Sequence, residues 1–115
     1  MSFKSSESFK MAWILLALAA VFEVVFALSM KASNGFTVLW PSLVTVLAVI
    51  AGIGLLTLSM RTLPVSVAYP IWVGAGAFGA VLFGWLIFGE PLDFLKIGSV
   101  FLIALGVVGL KLTAS

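Results

Sequence analysis

The chain has 115 residues, 63% of them hydrophobic and only 9% charged, with a mean hydropathy of +1.34 and a formal net charge of +2. A soluble domain of this size cannot hide that much apolar surface, so the composition specifies an integral membrane protein. Cysteine and histidine are absent, which excludes disulfides, thiolate or imidazole metal sites and most nucleophilic dyads; no basic run points to nucleic acid.

Residues 1–10 are polar and contain Lys4 and Lys10. They read as a short, loosely ordered tail ahead of a single membrane domain, 11–115. The apolar run from Met11 continues past Glu23 to Met30, further than a cleaved leader needs, and is expected to remain as the first span. Glu23 lies twelve residues past Met11, ~18 Å along a helix rising ~1.5 Å per residue. It is therefore well inside a hydrocarbon layer of ~30 Å. A carboxylate at that depth costs at least ~2.5 kcal/mol on insertion scales and points to the handling of protons or cations. On the same helical face stand Leu16, Ala19 and Ala20 on one side, with Phe26, Ala27 and Met30 on the other. Small residues beside the carboxyl let a helix or a ligand approach, and Phe26 adds an aromatic surface. The same pattern also fits a packing seam in which Glu23 is hydrogen-bonded to a neighbouring helix.

Asn34-Gly35 supplies turn chemistry before a second span from Trp40 to Met60. Arg61-Thr62-Leu63-Pro64 then makes a tight connection, with Pro64 suited to a helix start. The third span, Val65 to Phe88, holds Ser66, Tyr69, Pro70, Trp72, Gly74 and Gly76. Tyr69 and Trp72 share a face, where their rings can stabilise an organic cation by roughly 0.5–2 kcal/mol. Tyr69 can also donate a hydrogen bond to a carboxylate. Both residue types equally line membrane interfaces, so spacing alone leaves the pair open. Pro70 with Gly74 and Gly76 marks a hinge. Gly89-Glu90-Pro91 ends this span, and Leu92-Asp93 leads into the fourth, Leu95 to Leu112. Its Gly98, Leu102, Leu105, Gly106 and Gly109 form a small-residue face assigned to a dimer contact; packing within one subunit explains it nearly as well.

The expected fold is all-α, with four antiparallel transmembrane helices. Lys4, Lys10, Arg61 and Lys111 fall on one side, against Lys31 and Lys96 on the other. That weak bias allows insertion in both directions and hence an antiparallel homodimer, an inverted pair suited to alternating access. With no histidine, cysteine or second membrane-embedded acid beside Glu23, the groups for enzymatic chemistry are lacking. No metal or cofactor is expected.

Taken in order, Glu23, Met30-Lys31-Ala-Ser33-Asn-Gly35-Phe36-Thr37, Trp40-Pro41-Ser42, Leu63-Pro64, Ala68-Tyr69-Pro-Ile-Trp72-Val-Gly74-Ala-Gly76 and Phe88-Gly89-Glu90-Pro91-Leu92 resemble the small multidrug resistance family over about Met11 to Thr113. The resemblance implies proton-coupled export of organic cations from an antiparallel dimer in the bacterial inner membrane. In it, two copies of Glu23 take protons and substrate competitively. It also implies that Tyr69 and Trp72 line the site; from the residues themselves, Phe26, Ala19 and Ala20 on the Glu23 face and Ser66 of the third span are expected to line it as well. Val21-Phe22-Glu23-Val24-Val25 and Gly109-Leu110-Lys111 resemble the guanidinium-exporting branch. That branch is expected to carry Trp where Phe26 stands and a hydroxyl residue at Gly52; the quaternary-ammonium branch has Tyr at Val49, and Pro70 replaces a usual Ala. The chain thus fits neither substrate pattern. One half of a heteromeric drug or polyamine exporter, or a non-transporting assembly subunit, are the alternative readings.

Overall fold

A computed structural model of the chain describes residues 3–114, with side chains from Glu7 onward. It contains four helices, α1 (Phe3–Ala32), α2 (Leu39–Ser59), α3 (Val65–Phe88) and α4 (Phe94–Thr113), and no strand among the described residues. Each is long and apolar enough to cross a bilayer.

The connections close on local hydrogen bonds. Buried Ser33 donates its hydroxyl to the Met30 carbonyl (2.7 Å) and accepts from the Phe36 N–H (3.1 Å). These bonds span Asn34, Gly35 and Phe36, all with positive φ (49°, 71° and 65°). Gly35 takes that conformation freely, whereas Phe36 is held there against its own preference. Between α2 and α3, buried Leu63 tucks beneath the turn, and Pro64 occupies the N-cap of α3. After α3 the chain reverses at Gly89 (φ 66°). The Asp93 carboxylate then accepts from the Lys96 N–H at 2.8 Å, capping α4.

α1 is the hub: it packs along α2 and against α3, while α4 rests against α3. The core gathers Ala12, Leu16 and Ala19 of α1, Leu56, Leu63, and Val67, Ala68, Ile71 and Trp72 of α3. It fills the half of the bundle nearest the start of α1 and stops one turn short of Glu23. Beyond it, glycines set the helix spacing. A Cβ at Gly79 would collide with Val24, and one at Gly74 would stand 2.7 Å from a Val107 methyl. Without a hydrophobic drive between helices in lipid, such close approaches supply the attraction. A polar pair joins α1 to α2: the hydroxyls of Thr45 and Ser29 lie 2.9 Å apart.

Two expectations change. The polar segment 1–10 is not a loose tail as far as it is described, because α1 already begins at Phe3. Nothing among Lys4, Ser5, Ser6 and Glu7 breaks a helix, and extending a formed helix fixes one residue per added bond. Met1 and Ser2 lie outside the described residues. Pro70 interrupts nothing either: α3 runs unbroken through it. Gly74 and Gly76 are points of close helix contact with α4 and α1. On α4, Gly98, Gly106 and Gly109 have only open space before them, and Leu102 is 69% exposed. The small-residue face is therefore not used within the subunit.

Replacing Gly79 by Ala should destabilise the bundle by ~1–3 kcal/mol through overpacking, and Val24→Ala in the same chain should recover much of it. Unfolding midpoints in mixed micelles check this. An unaltered midpoint for Gly79→Ala would place α1 and α3 further apart than described.

Candidate functional site

Glu23 is half-buried where α1 passes α3, and the reason it fits is Gly76. Any Cβ at that position would strike the Cγ of Glu23. The glutamate side chain thus lies across a backbone surface that only glycine leaves free. Gly52 of α2 plays a similar part behind it, where an added Cβ would stand 3.3 Å from Phe22 Cβ and 3.6 Å from the Ala19 carbonyl oxygen.

The turn before Glu23 is pinned by an interhelical hydrogen bond. The indole Nε1–H of Trp72 donates to the Ala19 carbonyl at 2.9 Å in a buried setting. This bond satisfies the one polar atom of an otherwise buried Trp72. Its ring centroid lies 5.6 Å from that of Tyr69 with the planes tilted by 57°.

These elements enclose a cleft of about 430 Å³. Its walls are Glu23, Phe26 and Ala27 from α1, Val49 from α2, and Tyr69, Trp72, Val73, Gly76, Ala77 and Ala80 from α3. Among the described residues the Glu23 carboxylate makes no hydrogen bond or ion pair. Every buried side-chain polar atom there has a partner, so the unpartnered carboxylate oxygens remain accessible. A packing seam that ties Glu23 to a neighbouring helix is thus not what the single subunit shows. The hydrogen bond from Tyr69 to the carboxylate is not formed either. Chemically, the cleft offers one negative group, three aromatic rings and an aliphatic lining, and the indole donor is already committed to Ala19. That combination suits an organic cation.

Of the lining residues expected from sequence, Glu23, Phe26, Tyr69 and Trp72 meet in the cleft. Ala19 is fully buried and contributes its carbonyl, not a wall. Ala20 packs on the core. Ser66 is exposed and away from the cleft; ten residues separate it from Gly76, ~15 Å along the helix axis. Gly76, read as a hinge, is the seat of Glu23. Ala77 and Ala80 continue the Tyr69 face, a signal that helical spacing already carried. Val49 reaches the cleft from α2, at the position where the resemblance puts a Tyr in the quaternary-ammonium branch.

Residues 11–103 match the family model for Small Multidrug Resistance protein. A "Guanidinium exporter" from Proteus vulgaris is 41% identical over 104 residues, spanning 90% of this chain and all of the relative. Proteins of the same name from Citrobacter freundii and from Escherichia coli strain K12 are 46% and 44% identical over 103 residues, covering 90% of this chain and 98% of the Citrobacter protein.

Trp72→Ala should weaken binding of an aromatic cation to the purified protein by about 2- to 30-fold, the range set by loss of one ring face. Trp72→Phe keeps a ring and should retain most of the affinity while giving up roughly 1 kcal/mol of stability with the Ala19 bond. Calorimetric titration and thermal unfolding separate the two effects. Equal affinity in the Ala variant would assign Trp72 to packing alone.

Proposed function

Because the chain belongs to the small multidrug resistance family, a family of exporters, we propose that it is a proton-coupled antiporter for small or lipophilic organic cations of quaternary-ammonium or guanidinium type. It is a multi-pass membrane transporter rather than an enzyme. The observation that supports this reading most is the Glu23 carboxylate, unpartnered among the described residues, on the wall of an aromatic cleft within the membrane-spanning part of α1.

In this mechanism Glu23 is never left as a bare charge in the hydrocarbon layer. It holds a proton or it holds a cation, and each excludes the other because both bind the same oxygens. A proton arriving from one side displaces the cation, and a cation arriving from the other displaces the proton. The proton gradient thereby drives the cation outward. Aromatic rings retain the cation through their faces without requiring a hydrogen-bond donor, which suits alkylated and aromatic ammonium ions. Guanidinium carries several N–H donors, which the carboxylate oxygens can accept in the bidentate manner typical of such pairs.

A second copy inserted in the opposite sense completes the site. The open α4 face of Gly98, Leu102, Gly106 and Gly109 is its contact surface, and the dimer then holds two Glu23 carboxylates facing a shared cavity. The bacterial inner membrane is the compartment in which an inward proton gradient is available to such an exchanger.

The experiment is reconstitution of the purified chain alone into liposomes carrying a pH-sensitive dye. An organic cation gradient should drive opposing proton movement, which shows that no different partner chain is needed. Glu23→Gln should abolish the coupled flux while leaving the unfolding free energy within about 1 kcal/mol of the parent, as for other isosteric changes at a group with no bonded partner. Coupled flux persisting in the Gln variant would sink the assignment.

A further inference from the structure

At the opposite end of α1 from the Ser33 turn, a second cleft of about 810 Å³ lies between α1 and α4. Its lining is Phe9, Lys10, Trp13, Ile14, Val108, Lys111 and Leu112. With three connections between four spans, the start of α1 and the end of α4 share one membrane surface, so this groove opens at headgroup level. The Lys111 ammonium stands over the Trp13 ring at 5.4 Å from its centroid, and Phe9 meets Trp13 edge-on at 6.0 Å. One lysine is thereby held at the groove mouth, and Lys10 lines the same cleft.

Among the described residues, neither lysine is in an ion pair. Glu7, the nearest acidic side chain to Lys10 along the chain, lines a separate cleft with Met11, Ala12 and Arg61. Two cationic groups over an apolar trough repel the organic cations that Glu23 attracts, so the groove is not a second substrate site. They are complementary to an occupant with an anionic head and a hydrocarbon tail. On α4, Val108 and Lys111 point roughly 80–160° around the helix from the Gly98–Gly109 track at ~100° per residue, while Leu112 stands at its flank, about 40–60° from Gly98 and Gly109. A copy docked on that track therefore leaves the Val108 and Lys111 side of the groove open to lipid, with Leu112 at the border between the two.

We infer that the groove between Lys10 and Lys111 is a binding seat for an anionic phospholipid. Its phosphate is held by the two ammonium groups and one acyl chain lies along Trp13, Ile14, Val108 and Leu112. The amphipathic tryptophan and the extended lysine stems suit this boundary, where one end of the ligand is wet and the other dry. In an oppositely inserted pair, one such seat opens to each leaflet.

The test is native mass spectrometry of the full chain in detergent, titrated with phosphatidylglycerol or with phosphatidylcholine of the same acyl chains. Removing a lysine near an anionic headgroup should cost roughly fivefold in affinity. Wild-type protein should therefore prefer phosphatidylglycerol by about 25-fold, from two lysines acting together. Lys10→Gln with Lys111→Gln should erase the preference. Lys31→Gln with Arg61→Gln removes equal charge away from the groove and should keep it. Inorganic phosphate at matching concentration should not displace the lipid. Absence of the preference in the wild type, its survival in the Lys10/Lys111 pair, its loss in the Lys31/Arg61 pair, or displacement by phosphate would each overturn the proposal.

Discussion

A carboxylate held at the middle of a bilayer constrains everything around it. Its burial costs at least ~2.5 kcal/mol unless something positive or a proton accompanies it. The rest of the bundle is organised so that this group is neither neutralised by a neighbouring side chain nor pushed out to the headgroups. Gly76 gives Glu23 a backbone surface to lie on, and the Trp72 indole bonded to Ala19 fixes the preceding turn of α1. Gly52 brings α2 in close behind. The result is an unsatisfied acceptor facing an aromatic cleft, an arrangement that either a proton or an organic cation can fill.

The same economy governs the helices. Lipid tails are as apolar as leucine, so contact between spans rests on close fit. Gly79 admits Val24 and Gly74 admits Val107, which draws α3 against both α1 and α4. α4 contributes no buried residue, yet it has a face of small residues turned outward. A helix so composed, left uncovered in the subunit, fits an assembly in which a second copy supplies the missing surface. The groove at the Lys111 side of α4 carries positive charge over an apolar trough, which suits an anionic lipid and not an organic cation.

Much of the fold was legible from sequence because its signals are strong and local. Four apolar runs long enough to span a bilayer, broken by Asn34-Gly35, Leu63-Pro64 and Gly89, leave little choice of architecture, and the helices fall close to where hydropathy puts them. Glu23 was legible for the opposite reason, as the residue that contradicts its surroundings. What sequence could not supply was depth along a helix combined with the partner it meets. Ser66 shares the Tyr69 side of α3 but sits too near the end of the helix to reach the carboxylate. Gly76 looked like a point of weakness and is a point of contact. Lys4 to Lys10 looked like a tail because charge signals leave no mark on helix continuity. Val49 was marked only through the resemblance; that it meets Glu23 follows from α2 packing along α1.

One carboxylate serving two ligands is tested most directly by counting protons released as a cation binds. The purified protein in weakly buffered micelles, titrated with an aromatic quaternary ammonium ion across a range of pH, gives both the proton yield and the affinity. If the two compete at Glu23, acidic solutions should show protons expelled on binding, and affinity should fall by up to about tenfold per pH unit lowered for a single shared proton. Binding of equal strength at every pH, with no proton set free, would contradict it.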